Sequence, residues 1–365
     1  MKVLVSVFNN LATDQRVEKV CRTLSENGYH IELLGNNWLG SPELKRNYPV
    51  SRLNLKSKVL RFAYLEFQYK LYKELLRKAD QQTILLANDL DSLLPNYLVS
   101  KKLNIPLVFD SHEIFTEMPA INGRFTQKIW RLLESSILPK VKWMMTASES
   151  YADWFRERYK IERPVVVQNF PVKTNNPQNY ELENRLKIIL YQGVINPSRG
   201  LDKMIPAMKN IQDAELWIAG DGPKKTEYLQ LSKDLNLENC VKFLGKLPPE
   251  KLRELTPKAD VGLSIEENKG LSYYFSMPNK ISDYIQARIP VVVSNFPEMR
   301  KVIDNFQAGE KISDYSELPE KLNSVLKNGK QFYENSLNKA SEELCWEKEE
   351  IKLLALFERV KSARL

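Results

Sequence analysis

The chain has 365 residues, 43% hydrophobic and 27% charged, which is enough for two packed domains and too much for one small module. Its net charge of +8 is unevenly placed: residues 1–171 carry 25 Lys and Arg against 18 Asp and Glu, and the remainder 29 against 28. Three widely separated cysteines (Cys21, Cys240, Cys345) and two histidines (His30, His112) match no metal-ligand spacing, so the expectation is thiols in a reducing cytoplasm and no protein-held metal or cofactor.

The first residues form an apolar run of strand length ending at Asn9-Asn10, without the long core of a signal peptide, and no stretch approaches the roughly 20 apolar residues of a membrane span. From there, short Val- and Ile-rich runs alternate with helical patterns, the mark of βαβ units around parallel sheets. Residues 3–8 read as a buried strand. Val17, Val20, Cys21 and Leu24 then recur at helical spacing, with Thr13 or Asp14 to cap the start and Gly28 to close the end. Further strands are predicted at 31–34, 83–87, 107–110, 143–147 and 164–168, giving one doubly wound domain over 1–171. Residues 172–186 are polar and aperiodic and read as a linker. A second series follows over 187–342, with strands at 188–192, 216–219, 241–244, 261–265 and 290–294 and helices at 201–211, 224–235, 249–258 and 279–287. A last helix, within 343–365, shows Leu353, Leu356, Phe357 and Val360 on one face and is expected to pack across both domains. The expected fold class is α/β, two doubly wound Rossmann-like domains facing a central cleft, where a ligand site is expected.

Between residues 45 and 78 there are ten basic side chains (Lys45, Arg46, Arg52, Lys56, Lys58, Arg61, Lys70, Lys73, Arg77, Lys78) against Glu66 and Glu74. Interleaved Phe62, Tyr64, Leu65, Phe67, Tyr69 and Tyr72 make this segment suited to an anionic membrane surface, the alternative being a solvated helix face.

Loops that follow strands and open helices are anion sites, and the second half has three. Gly193-Val-Ile-Asn-Pro-Ser-Arg-Gly200 places Arg199 at a helix start, where a guanidinium can grip a diphosphate; the plain alternative is a turn with a solvated arginine. Ala219-Gly-Asp-Gly-Pro-Lys-Lys225 puts Gly220 and Gly222 in a tight turn that equally suits a purely structural bend. Ser276-Met-Pro-Asn-Lys-Ile-Ser-Asp283 starts a helix at Pro278, with Asn279 and Lys280 offered to a phosphate or sugar hydroxyl, or Lys280 simply solvated.

Together with Phe243-Leu-Gly245 and Ile289-Pro-Val-Val-Val-Ser294, these loops resemble the donor half of retaining GT-B glycosyltransferases of the family-four type, as found in bacteria. The N-terminal half is similar too, in Thr13-Asp-Gln-Arg-Val17, Asn88-Asp-Leu-Asp91, Phe109-Asp-Ser-His-Glu-Ile-Phe-Thr-Glu-Met-Pro119 and Gln168-Asn-Phe-Pro171. The resemblance covers nearly the whole chain. It implies transfer of a sugar, with retention and without a required metal, from a nucleotide-sugar held by the C-terminal domain to an acceptor held by the N-terminal one. Many such enzymes build lipid-linked or surface polysaccharides, which implies a peripheral place on the inner face of the cell membrane.

Carried over by position, Arg199 stands at the family's diphosphate-binding lysine, while the family's second cation is here Val194, a loss that Lys280 would cover. Gly193, Gly220, Gly222, Asn279 and Asp283 fall on the donor side, Asp283 at the ribose carboxylate. The family's other glutamate falls on Phe275 or Asn268 according to the direction of counting, and neither is a carboxylate. Glu266 and Glu267 read as solvated loop charges, and Asn268, Tyr273 and Tyr274 as a donor-sugar loop. His112 takes the position of a residue close to the donor sugar, and Asp14, Arg16 and Glu113 face the acceptor. The rival readings are a nucleotide-sugar epimerase or a phosphorylase on the same plan, a dehydrogenase, disfavoured by the lack of G-x-G-x-x-G, and a nucleic-acid binder, disfavoured by the neutral second half.

Overall fold

The structure is a computed structural model describing residues 1–38, 40, 42–174 and 185–363. It divides into two compact units, one made of Met1–Asn169 with Glu349–Leu365 and one of Phe170–Lys348.

In the first unit the chain runs β1 (Lys2–Ser6), α1 (Gln15–Glu26), β2 (His30–Asn36), β3 (Val50–Leu53), α2 (Leu60–Lys78), β4 (Thr83–Asn88), α3 (Leu90–Leu103), β5 (Leu107–Ser111), α4 (Phe125–Ile137), β6 (Trp143–Thr146), α5 (Glu149–Tyr159) and β7 (Val165–Val166). The seven strands pair in the order β3-β2-β1-β4-β5-β6-β7, and every pairing is parallel. Parallel strands are covered on both faces, and Val3, Leu4, Val5, Ile84, Leu85, Leu86 and Val108 are accordingly buried. Asp14 caps α1 by accepting from Val17 N, as its position before the apolar period suggests. Strand β3 is absent from the sequence reading because a four-residue edge strand in a basic segment has too short an alternation to register.

The second unit runs β8 (Lys187–Gln192), α6 (Leu201–Ala207), β9 (Ala214–Ala219), α7 (Lys225–Asp234), β10 (Val241–Gly245), α8 (Pro249–Leu255), β11 (Val261–Ser264), α9 (Leu271–Tyr274), α10 (Asn279–Gln286), β12 (Val291–Ser294), α11 (Pro297–Phe306), β13 (Gly309–Ile312), α12 (Leu318–Phe332) and α13 (Glu334–Glu343). Its six parallel strands lie in the order β10-β9-β8-β11-β12-β13. Edge strand β13, sequence GEKI, likewise carries no strand pattern in the sequence, since two of its four residues are charged. Gly262 lets the Tyr284 ring lie against β11: a Cβ there would stand 2.3 Å from the ring. The Tyr284 hydroxyl accepts from Gln192 N at 3.0 Å and donates to Leu190 O at 3.1 Å, which ties α10 to β8.

The last helix, α14 (Trp346–Ser362), starts in the second unit and groups with the first from Glu349 onward. Most of the expected linker, 175–184, lies outside the described residues. Its beginning is anchored within the second unit: Lys173 N donates to the Glu347 carboxylate at 3.1 and 3.2 Å, and Thr174 N to Gln286 Oε1 at 2.9 Å.

Candidate functional site

In an open parallel sheet the ligand crevice forms where two neighbouring strands send their connections to opposite sides. In the second unit that point lies between β8 and β11, since β9 and β10 follow on one side of β8 and β12 and β13 extend beyond β11. Three loops meet there. Arg199, on the loop after β8, places NH1 2.7 Å from Glu266 Oε2, and Lys280, on the first turn of α10, places Nζ 3.0 Å from Glu266 Oε1. The Tyr191 ring centroid lies 4.4 Å from the Lys280 ammonium and the Tyr273 ring 4.7 Å from the Arg199 guanidinium.

Glu266 is the residue that sequence reasoning misjudged. It is not a solvated loop charge: it is 1% exposed and bridges both cations. The available signal was its position at the carboxyl end of a fully buried strand, two residues past Ser264. Burial by itself would raise its carboxyl pKa, but Lys280 and Arg199 hold it below the ordinary range. Burial pulls the Lys280 ammonium down despite Glu266, with Arg199 adding to the fall. Arg199 is held above its usual value because Glu266 outweighs its burial. The group carries two positive charges and one negative, a net surplus suited to an anion. Lys280 is therefore buried rather than solvated, and Arg199 is the more accessible of the two cations.

The glycines serve close approach. Gly200 has φ +73° and caps α6, and a Cβ there would stand 2.1 Å from Ile265 O. Gly220 presses on the preceding loop, where a Cβ would stand 1.8 Å from Gly193 O, and Gly222 likewise approaches Ile195 O. Gly193 N donates to Ala219 O and Ile195 N to Asp221 O, so the first two loops are bonded to each other. Lys280 Cε lies 3.7 Å from where a Gly193 Cβ would be. Asn279 is exposed at the start of α10, and Asp283 accepts from Gln192 Nε2 at 3.1 Å. The anticipated donor-sugar loop is divided: Tyr273 faces Arg199, whereas Tyr274 packs on Phe296 with centroids 5.1 Å apart and Asn268 is exposed.

The corresponding point in the first unit lies between β1 and β4. There Arg16 is buried and held by Asp110 through Nε (2.9 Å) and NH2 (2.6 Å), and it donates to Val167 O at 2.5 Å. Its guanidinium thus braces the unit internally rather than reaching out to an acceptor. Asp14 accepts from Asn9 Nδ2 at 2.6 Å besides its capping bond. His112 has Nδ1 3.1 Å from Asp89 Oδ2 and Nε2 3.2–3.3 Å from Asn88 Oδ1 and Asp110 Oδ2. Both ring nitrogens face acceptors, which fits a doubly protonated imidazolium. Burial opposes that charge, but Asp89 and Asp110 raise the His112 pKa well above the usual value. Asp110, despite its burial, is lowered to about 2 by Arg16 and His112. Asp89 itself sits at φ +58° and ψ 165°, a strained conformation for a side-chain-bearing residue, and its carboxylate also accepts from His112 N at 2.9 Å. The Glu113 carbonyl accepts from Ser111 Oγ at 2.8 Å.

Residues 14–173 match the Glycosyltransferase Family 4 sequence family, and residues 172–343 match Glycosyl transferases group 1. The chain belongs to the GT-B glycosyltransferases of the family-four type. Sucrose-phosphate synthase from Thermosynechococcus elongatus shares the fold over 100% of both chains, with TM-score 0.80 and 15% identity. Anabaena HepE in complex with UDP-glucose does so over 100% of this chain and 99% of its own, with TM-score 0.72 and 15% identity. Among curated proteins, the phosphatidylinositol N-acetylglucosaminyltransferase GPI3 subunit of Saccharomyces cerevisiae is 30% identical over 108 residues, which is 28% of this chain and 24% of that one. Among the described residues, no helix is long and apolar enough to cross a membrane.

Proposed function

We propose that the chain transfers a sugar, with retention, from a nucleotide-sugar to a glycan or lipid-linked acceptor. The observation that carries this reading is the pair of cations, Arg199 and Lys280, gathered on one buried carboxylate at the switch point of the second unit. When the anomeric C–O bond breaks, negative charge grows on the departing diphosphate. Two fixed cations and the positive end of α10 stabilise that charge without reorganising, the role a metal ion fills elsewhere. The acceptor oxygen bonds to the anomeric carbon from the face the diphosphate leaves, and the acceptor proton passes to the diphosphate. In this reading the backbone around Gly193, Gly220 and Gly222 and the side chain of Asn279 line the diphosphate, and Asp283 takes the ribose hydroxyls. His112 contributes a fixed positive charge rather than a base, and Asp14 and Glu113 belong to the acceptor side. HepE, crystallised with UDP-glucose, supports a nucleotide-sugar donor.

A lipid-linked acceptor, and with it peripheral attachment to the inner face of the membrane, draws support from the GPI3 relative's name and from the surface of α2. Ala63, Phe67, Leu71 and Leu75 bury one side of that helix. Phe62, Leu65 and Tyr69 are exposed on another, Leu65 to 67%, among Lys58, Arg61 and Lys73. Helix α4 adds exposed Phe125, Ile129 and Leu132 at i, i+4 and i+7. The deciding experiment is a thermal-shift screen against UDP-, GDP- and ADP-sugars, followed by nucleotide release with and without a lipid-linked glycan. Stabilisation by one donor and acceptor-dependent release are expected. Equal turnover without acceptor would instead favour an epimerase, and no response to any donor would overturn the reading.

A further inference from the structure

Helix α4 carries its polarity the wrong way round. A helix packed on its own domain ordinarily buries an apolar stripe, yet the residues that α4 buries are Gln127, Glu134 and Ile137, while Phe125, Ile129 and Leu132 stand exposed. Gln127, Arg131 and Glu134 recur at i, i+4 and i+7 and so share one face. A buried amide and a buried carboxyl are costly unless bonded, and all three side chains are bonded to one segment, the loop that leaves β5. Gln127 Nε2 donates to Thr116 O at 2.7 Å, and Gln127 Oε1 accepts from Gly123 N at 3.1 Å. Glu134 Oε2 accepts from Thr116 Oγ1 at 2.9 Å and, on α5, from Tyr159 OH at 2.5 Å. Arg131 NH2 donates to Glu117 Oε1 at 2.7 Å, and the Trp130 ring meets Phe115 with centroids 5.1 Å apart. Thr116, fully buried, is thus gripped at both its carbonyl and its hydroxyl.

The same loop carries His112 and Glu113, a few residues before Thr116. Its start is fixed by Thr146 Oγ1 on Ser111 O and by Ser111 Oγ on Glu113 O, both at 2.8 Å. We propose that Glu134 and Gln127 are positioning residues for the transfer, holding through Thr116 the loop that sets His112 and Glu113. The inference rests on the reading that places those two residues at the reacting centre. Well-packed apolar side chains would hold α4 down at least as well as buried polar ones, whereas hydrogen bonds fix direction as well as distance. The polar stripe therefore serves the placement of the loop. Burial pushes the Glu134 carboxyl up to about 7, against the bonds from Tyr159 and Thr116; Glu117 on the loop adds to the rise and Arg158 on α5 opposes it. A carboxylate accepts more strongly than a neutral acid, so the grip on Thr116 tightens as pH rises through about 7.

The chain has two histidines, His30 and His112, so NMR of the full chain with ring-labelled histidine follows His112 directly, with His30→Gln for assignment and no ligand needed. From about pH 6 to pH 8 the wild-type His112 resonance should shift with a midpoint at about 7. Glu134→Gln, which keeps an acceptor oxygen but cannot ionise, should abolish that step. Thr116→Val, similar in volume but without the hydroxyl, should abolish it with Glu134 still in place, and Thr116→Ser should restore it. A merely stabilising Glu134 would lower the melting temperature when replaced and leave the His112 profile as it was. Transfer is then measured as nucleotide release from UDP-, GDP- and ADP-sugars with a lipid-linked glycan. Thr116→Val should lower kcat about five- to tenfold, Thr116→Ser should recover it, and thermal stabilisation by the nucleotide-sugar should be unchanged in both. A wild-type His112 resonance that does not move, a step that survives Glu134→Gln and Thr116→Val, or turnover undiminished in Thr116→Val would overturn the positioning role. Failure of the transferase reading would show separately, as absent donor stabilisation and turnover in a wild-type chain whose His112 step is intact.

Discussion

Arg199 and Lys280 are neighbours through Glu266, so substituting either one removes one charge and takes one partner from Glu266. Arg199→Ala leaves Glu266 facing Lys280 alone and, on the proposed reading, removes a diphosphate contact. Loss of one preorganised donor to a developing oxyanion costs about 100- to 1,000-fold in turnover, and that range is expected for donor cleavage by Arg199→Ala; a variant within threefold of wild type would sink the phosphate assignment. His112 yields a different prediction. Its folded pKa lies above the ordinary value of about 6.5, because Asp89 and Asp110 overcome its burial. The stabilisation this provides is complete below about pH 6.5 and is lost as pH rises through the folded value. Urea denaturation from about pH 6 to pH 9 should show the wild type losing stability with pH while His112→Gln stays flatter. Parallel profiles would refute the imidazolium. Asp110 acts in the opposite sense: lowered to about 2 by Arg16 and His112, it stabilises above the ordinary carboxylate range and loses that effect as pH falls toward 2.

At the scale of elements, the site depends on how closely loops approach. Gly200 joins the loop after β8 to α6 in a left-handed conformation with Ile265 O directly beneath it. Gly200→Ala should destabilise the second unit by several kcal/mol, since both the backbone conformation and the contact forbid a Cβ, roughly 1–3 kcal/mol for the conformation alone. An unchanged melting temperature would show that the loop relaxes freely. Helix α2 is amphipathic in an unusual sense, with a buried stripe of four residues and exposed apolar residues flanked by lysine and arginine. Near an anionic bilayer each cation contributes about 1 kcal/mol, so reversing Lys58, Arg61 and Lys73 to Glu, which removes three attractions and adds three repulsions, should lower affinity for vesicles containing anionic lipid by at least about two orders of magnitude. Sedimentation unaffected by the triple reversal would remove the membrane from the reading.

At the scale of the whole molecule, the two units have separate sheets and separate cores. A stabilising nucleotide-sugar at about 100 times its Kd should add about 2.7 kcal/mol to the state that binds it. Calorimetry with the donor should raise the transition that Arg199→Ala leaves unshifted; equal shifts in both proteins would place the donor elsewhere. The sequence by itself determined the parallel α/β units, because buried strands covered on both faces are written as continuous apolar runs, and all but the short edge strands β3 and β13 were legible. It also marked Arg199 and Lys280, since cations after strands at helix starts are a local pattern, whereas His112 was marked only through the family resemblance. Tertiary structure alone decided their electrostatic partners. Glu266 lies 67 residues from Arg199 and 14 from Lys280 along the chain, and Asp110 lies 94 from Arg16. Those ion pairs follow from which strand ends the sheet order makes adjacent, and nothing in a linear spacing encodes that adjacency.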